Sequence, residues 1–180
     1  MNNLLLLHGA IGSADQLASL DEVLSDAYRI HRFSFSGHGG KASSGEGFSI
    51  PLFAEEVLRY LDEQAIQQVA IFGYSMGGYV ATYLALHHPE RVQKIVTLAT
   101  KWDWNPEIAL KEVGMLDPEK IQAKLPEFAN TLAKRHAPLD WKENLQQTAV
   151  MMLGLGNTPA LALEDFSKVT CPVLVCIGDR

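Results

Sequence analysis

The sequence predicts an α/β fold: an open, mainly parallel sheet with helices on both faces. Three observations carry that prediction. Short apolar runs recur at 3–7, 68–72, 94–99 and 172–177, as expected of strands buried on both faces. Segments with helical apolar spacing lie between the early runs, so strand and helix alternate. The 180 residues are 47% hydrophobic and 20% charged, enough apolar surface to offset the entropy of ordering one core.

The elements follow in order. The run at 3–7 ends in His8-Gly9, and 14–24 then places Leu17, Leu20, Val23 and Leu24 on one helical stripe. A second strand is expected at 28–35 and a Gly/Ser-rich loop at 36–47. Helical spacing returns at 50–61 through Phe53, Val57, Leu58 and Leu61, with Pro51 near the start, where its missing N–H is harmless. After the strand at 68–72 come a tight turn at 73–78, an Ala-rich helix at 79–87 that Pro89 stops, and a strand at 94–99. The alternation then breaks. Residues 102–166 hold all three tryptophans, five prolines and no convincing strand, whereas 172–177 resumes the sheet. The expected organisation is a core at 1–101, a helical cap insertion at 102–166 and a returning core strand at 167–180. Such an insertion lies over the carboxyl edge of the sheet, where open α/β sheets bind ligands.

Charge and composition narrow the function. Fifteen basic against 21 acidic residues give a net charge of −6, and the pI is near 5.5, so no basic face is available to displace counterions from nucleic acid. No apolar run approaches the roughly 20 residues that span a bilayer, and residues 1–7 lack the basic start of a signal peptide. A soluble, cytoplasmic protein with no nucleic-acid or membrane partner is expected. Cys171 and Cys176 lie five apart in a segment that reads as a strand, on opposite sides, and read as small buried hydrophobes rather than a disulfide or a zinc site.

The chemistry centres on Gly73-Tyr74-Ser75-Met76-Gly77, a G-x-S-x-G pattern between a buried strand and a helix. A nucleophilic hydroxyl held on a sharp strand-to-helix turn needs tiny residues two before and two after it, because neighbouring backbone packs there. A helix starting at the serine also aims free N–H groups at the reacting oxygen. The Met76 amide is one natural donor to an oxyanion. The loop His8-Gly9-Ala10-Ile11-Gly12-Ser13 can bring the Ala10 amide as the other. His8 reads as a residue shaping that loop.

Taken with Gly37-His38-Gly39, His88-Pro89-Glu90-Arg91-Val92 and Cys171 through Asp179, these motifs resemble the α/β-hydrolase superfamily, in its small-molecule esterase, thioesterase and carbon–carbon hydrolase branch. The resemblance spans almost the whole chain. It implies Ser75 as nucleophile, Ala10 and Met76 as oxyanion hole, a cap after the strand that follows the elbow helix, and no metal or organic cofactor. The substrate expected is a small ester, thioester or related acyl compound.

The same resemblance exposes a gap. Serine chemistry needs a base and an acid to orient it, and the superfamily order is Ser, acid, His. The last histidine here is His136, inside the insertion, and the acid falls on Asp179, on Asp103, or just beyond Arg180. The sequence therefore reads as a hydrolase cut off at its acid loop, impaired as it stands. His38 could approach Ser75 as an alternative base, but its surroundings match the family only partly and it reads first as a loop-shaping residue, while His87, His88 and His136 read as surface or helix-end residues. A fold that kept its shape and lost its chemistry, or a second chain donating acid and base, stays open. Gly37-His38-Gly39-Gly40-Lys41-Ala42 imitates a dinucleotide fingerprint, but no helix follows to present N–H groups to a pyrophosphate.

Overall fold

A computed structural model describes residues 1–178. Five strands, β1 (Asn2–Leu7), β2 (Tyr28–Phe33), β3 (Val69–Tyr74), β4 (Val92–Leu98) and β5 (Val173–Cys176), form one sheet in the order β2-β1-β3-β4-β5. Every pairing is parallel. β1 explains why its sequence is continuously apolar. Leu5 and Leu7 enter the main core, while Leu4 and Leu6 pack on the opposite face with Leu17, Leu20 and Leu24. A strand covered on both faces has no solvent side to make polar.

The main core fills the face carrying α2 (Ile50–Glu63) and α3 (Met76–His87). Ser49 caps α2 by accepting from the Leu52 amide at 3.2 Å, with Pro51 in the first turn as expected. α3 is buried from Met76 through Thr82 and again at Leu84 and Ala85, so it is apolar around most of its girth.

The expected single helix at 14–24 is instead a 3-10 turn, Ala14–Leu17, followed by the short α1 (Ser19–Leu24). Gln16 folds back to accept from the Ser13 amide at 3.1 Å, which tightens that first turn, and no residue of either piece is fully buried. With so little packing, nothing enforces one straight helix.

Between β4 and β5 the chain forms α4 (Pro106–Val113), α5 (Pro118–Lys124), α6 (Pro126–His136) and α7 (Trp141–Asn157), without a strand. Ile121, Ala129, Leu132, Trp141 and Leu145 make a small cluster of their own, whereas Met151 and Leu155 of α7 join the main core. β5 is an edge strand among the described residues, with Leu174 exposed. Cys171 and Cys176 are free, but they are half-buried rather than buried, and only Cys176 lies in β5, since Cys171 precedes the strand. Among the described residues, no helix is long and apolar enough to cross a membrane, and no group of three or more His, Cys, Asp or Glu side chains could hold a metal ion.

Candidate active site

Sheet order decides where the loops meet. The chain leaves β1 for β2 on one side and returns to place β3 on the other, so β1 and β3 flank the point where the winding reverses. Crevices at that point are where such sheets bind ligands. Leu7 pairs with Gly73 there, which sets the loop after β1 beside the turn after β3.

Ser75 occupies that turn at φ +51 and ψ −114. A non-glycine residue at positive φ is strained, and surrounding structure must hold it. Its amide donates to the Leu98 carbonyl at 2.8 Å, and its carbonyl accepts from the Thr100 hydroxyl at 3.0 Å, so the end of β4 grips both sides of the serine. The glycine spacing has the reason anticipated. A Cβ on Gly73 would strike the backbone of Gly78, and one on Gly77 would strike the carbonyls of Leu7 and His8. Gly78 is equally constrained, by Thr100, which the motif does not specify.

A cavity of about 40 Å³ opens beside Ser75, lined by Ala10, Met76, Tyr79, Lys101, Trp104 and Met151 among others. Ala10, Ser75 and Met76 therefore meet around one space. Among the described residues, neither the Ala10 nor the Met76 amide donates a hydrogen bond, and the Ser75 hydroxyl has no side-chain or backbone partner. Thr100 and Lys101 were not singled out by sequence; their place is set by where β4 ends. Lys101 forms an ion pair with Glu112 of α4.

The profile of the alpha/beta hydrolase fold matches residues 2–153. The chain belongs to that family. It is also similar to a pimeloyl-(acyl-carrier protein) methyl ester esterase of Aeromonas hydrophila, 37% identical over 99 residues, which are 54% of this chain and 37% of that protein. The match thus spans little more than a third of that relative's length. NosK from Streptomyces actuosus superposes with a TM-score of 0.79 at 21% identity, covering 98% of this chain and 76% of that one. The enol-lactonase from Burkholderia xenovorans LB400 gives 0.76 at 19% identity, covering 99% and 73%. At such identities these two likenesses show the fold.

None of the six histidines of this chain lines the cavity at Ser75. His8 lies in the stem of the loop after β1: its Nδ1 donates to the Gly9 carbonyl at 2.7 Å, and its Nε2 accepts from the Phe35 amide at 3.3 Å. Burial pushes it down to about 4. His38 stacks on Phe48, its Nδ1 donates to the Ser36 carbonyl at 2.9 Å, and burial pushes it down to about 3. Its Nε2 is buried without a partner among the described residues.

His136 corrects the sequence expectation: although it ends α6, it is fully buried, with its ring 5.9 Å from that of His38. His31 bonds Tyr60 and Asn3, and His87 and His88 stand at the end of α3 remote from Ser75. Asp103 is exposed in a neighbouring groove with Trp102, Leu161 and Phe166, outside the lining of the Ser75 cavity. Asp179 lies outside the described residues. One buried carboxylate escaped the sequence reading. Glu56 of α2 accepts from the amide and hydroxyl of Ser36 and from Lys41 at 3.2 Å, tying α2 to the loop after β2.

Proposed function

We propose that this α/β hydrolase is a serine-dependent esterase acting on a small acyl ester or thioester. The observation that carries the proposal is that Ser75, strained and with an unbonded hydroxyl, lines one apolar cavity together with Ala10 and Met76, whose amides donate to no other group among the described residues. Ser75 Oγ forms a bond to the acyl carbon, and negative charge gathers on the carbonyl oxygen, which the two N–H groups stabilise. The ester C–O bond then breaks. The serine proton passes through the base to the departing alcohol, and water later releases the acid from Ser75. No metal or organic cofactor enters this scheme.

Helices α4–α7 act as a cap, with Trp104, Met151 and Leu155 closing an apolar wall over the serine and excluding water. A cavity of about 40 Å³ suits a short acyl or alkoxy group. The kinship with a methyl ester esterase points the same way. None of the six histidines lines the cavity at Ser75, so no base is assigned among the described residues, and residues 1–180 alone are expected to turn over slowly.

The test is labelling by a fluorophosphonate together with hydrolysis of p-nitrophenyl acetate, using the full-length protein, residues 1–180 and Ser75→Ala. Labelling and turnover of the full-length protein, lost in Ser75→Ala and weak in residues 1–180, are expected. A folded full-length protein that neither labels nor turns over would make this a binding protein on a hydrolase fold. Equal serine-dependent turnover by both lengths would refute the missing base.

A further inference from the structure

Ala10 is bracketed by two carbonyls that the structure holds firmly. On one side the Gly9 carbonyl accepts from His8 Nδ1 at 2.7 Å and from the Gly12 amide at 3.1 Å, all within the core loop. On the other side stands Ile11, at φ +52, a conformation that a β-branched residue strongly disfavours. Its carbonyl is held by α6, 124 and 125 residues further along the chain. Arg135 Nη1 donates to it at 2.8 Å and His136 Nε2 at 3.1 Å, both from the last turn of α6.

The histidine's orientation is fixed by its other nitrogen, because Nδ1 accepts from the Gly39 amide at 3.2 Å and Nε2 must then carry the proton. The Ile11 side chain packs against the Ile121, Leu132 and Trp141 cluster between the cap helices. Backbone and side chain of the residue next to Ala10 are thus gripped by the cap. Among the described residues, no core group bonds that carbonyl.

We propose that Arg135 and His136 are positioning residues for the oxyanion hole, so that the Ala10 amide points at the reacting oxygen only while α6 is docked. The inference rests on the esterase reading above. Met76 is fixed by the elbow itself and needs no such help. Without the Arg135 and His136 bonds, Ile11 relaxes toward negative φ and carries the two-residue bridge from Gly9 with it, turning the Ala10 N–H away. Seating the cap over a substrate and completing the oxyanion hole then become one event.

The experiment uses the full-length protein with Arg135→Met, which keeps the apolar stem, and Arg135→Lys, which keeps one donor. Three quantities are read: kcat and KM for p-nitrophenyl acetate, and the inhibition constant of an alkylboronic acid that forms a tetrahedral adduct on Ser75. A misaligned donor weakens tetrahedral species selectively. Arg135→Met is expected to lower kcat roughly tenfold or more and to weaken the boronic acid equally, with KM within about twofold; Arg135→Lys recovers most of both. Should Arg135→Met fail to fold, His136→Gln is judged by the same split. Boronic acid binding that depends on Ser75 but is untouched by either substitution overturns the clamp and leaves the esterase reading standing. Equal binding by the wild type and Ser75→Ala overturns both.

Discussion

His8 and His38 are buried as neutral imidazoles, and this makes folding sensitive to acid in a way that can be calculated. Burial lowers His8 to about 4 and His38 to about 3, against 6.5 for a free side chain. His38 also feels the charge of His8, and His136 pushes both the same way; Arg135 and Lys41 add to the effect on His8. The sign follows from which state binds the proton. Well above pH 6.5 neither state is protonated and the full stability is present. As pH falls below 6.5 the unfolded chain takes up protons that the folded chain refuses, so stability declines until the pH reaches the folded values near 3 to 4.

Between pH 7 and pH 5 one such histidine removes about 2 kcal/mol, nearly whatever its folded value, because the folded form is still neutral at pH 5. The two together remove about 4 kcal/mol, a large part of the roughly 5–15 kcal/mol that holds a domain folded. His38→Phe keeps a ring stacked on Phe48 and abolishes the titration. Urea unfolding at pH 7 and pH 5 should show the variant losing about 2 kcal/mol less than the wild type over that interval, whatever its absolute stability at pH 7. A variant whose loss equals that of the wild type would refute the claim that His38 is neutral when folded.

Two further substitutions probe the site. Gly77→Ala places a Cβ against the Leu7 and His8 carbonyls, which are backbone and cannot swing aside; it should cost about 1–3 kcal/mol in urea unfolding and slow turnover by shifting the Met76 amide. An unchanged midpoint would mean that β1 yields. Trp104→Ala joins the small cavity at Ser75 to the groove of about 840 Å³ beside it, since Trp104 lines both. The ratio of kcat/KM for octanoate over acetate esters should then rise at least roughly tenfold, each accommodated methylene being worth about 0.8 kcal/mol; an unchanged ratio would place the acyl chain elsewhere.

What could be read from sequence was what local rules enforce. Leu4 to Leu7 announced a strand because both faces are covered, and Gly73 and Gly77 announced the elbow because backbone passes where their side chains would be. Helix α2 was legible from its apolar stripe, and Glu56, one residue before Val57 on that stripe, was the signal overlooked: a charge on a buried face needs partners. The grip of Arg135 and His136 on Ile11 bridges 124 and 125 residues, and no periodicity encodes such a meeting. His136 looked like an ordinary basic residue ending a helix, because burial there comes from the loops after β1 and β2 closing over it. Thr100 and Lys101 depend on where β4 stops, and strand ends are set by the neighbours' register rather than by the strand's own residues.

The positive-φ residues separate the ordinary from the functional. Ala65 at φ +54 follows the end of α2, a place where left-handed residues commonly stop helices. Ile11, Ser75 and Ala99 instead follow the carboxyl ends of three adjacent strands, β1, β3 and β4. Strain of this kind costs about 1–3 kcal/mol per residue and persists only where the surroundings over-determine it. Each of the three has its own restraint. Ser75 is held by Leu98 and Thr100, Ala99 by its amide on the Cys176 carbonyl at 2.9 Å, and Ile11 by Arg135 and His136. Two of these restraints come from the sheet and stand as long as the sheet does. The third comes from a helix of the insertion, so the strain beside Ala10 is the part of the site that can be released without unfolding the core.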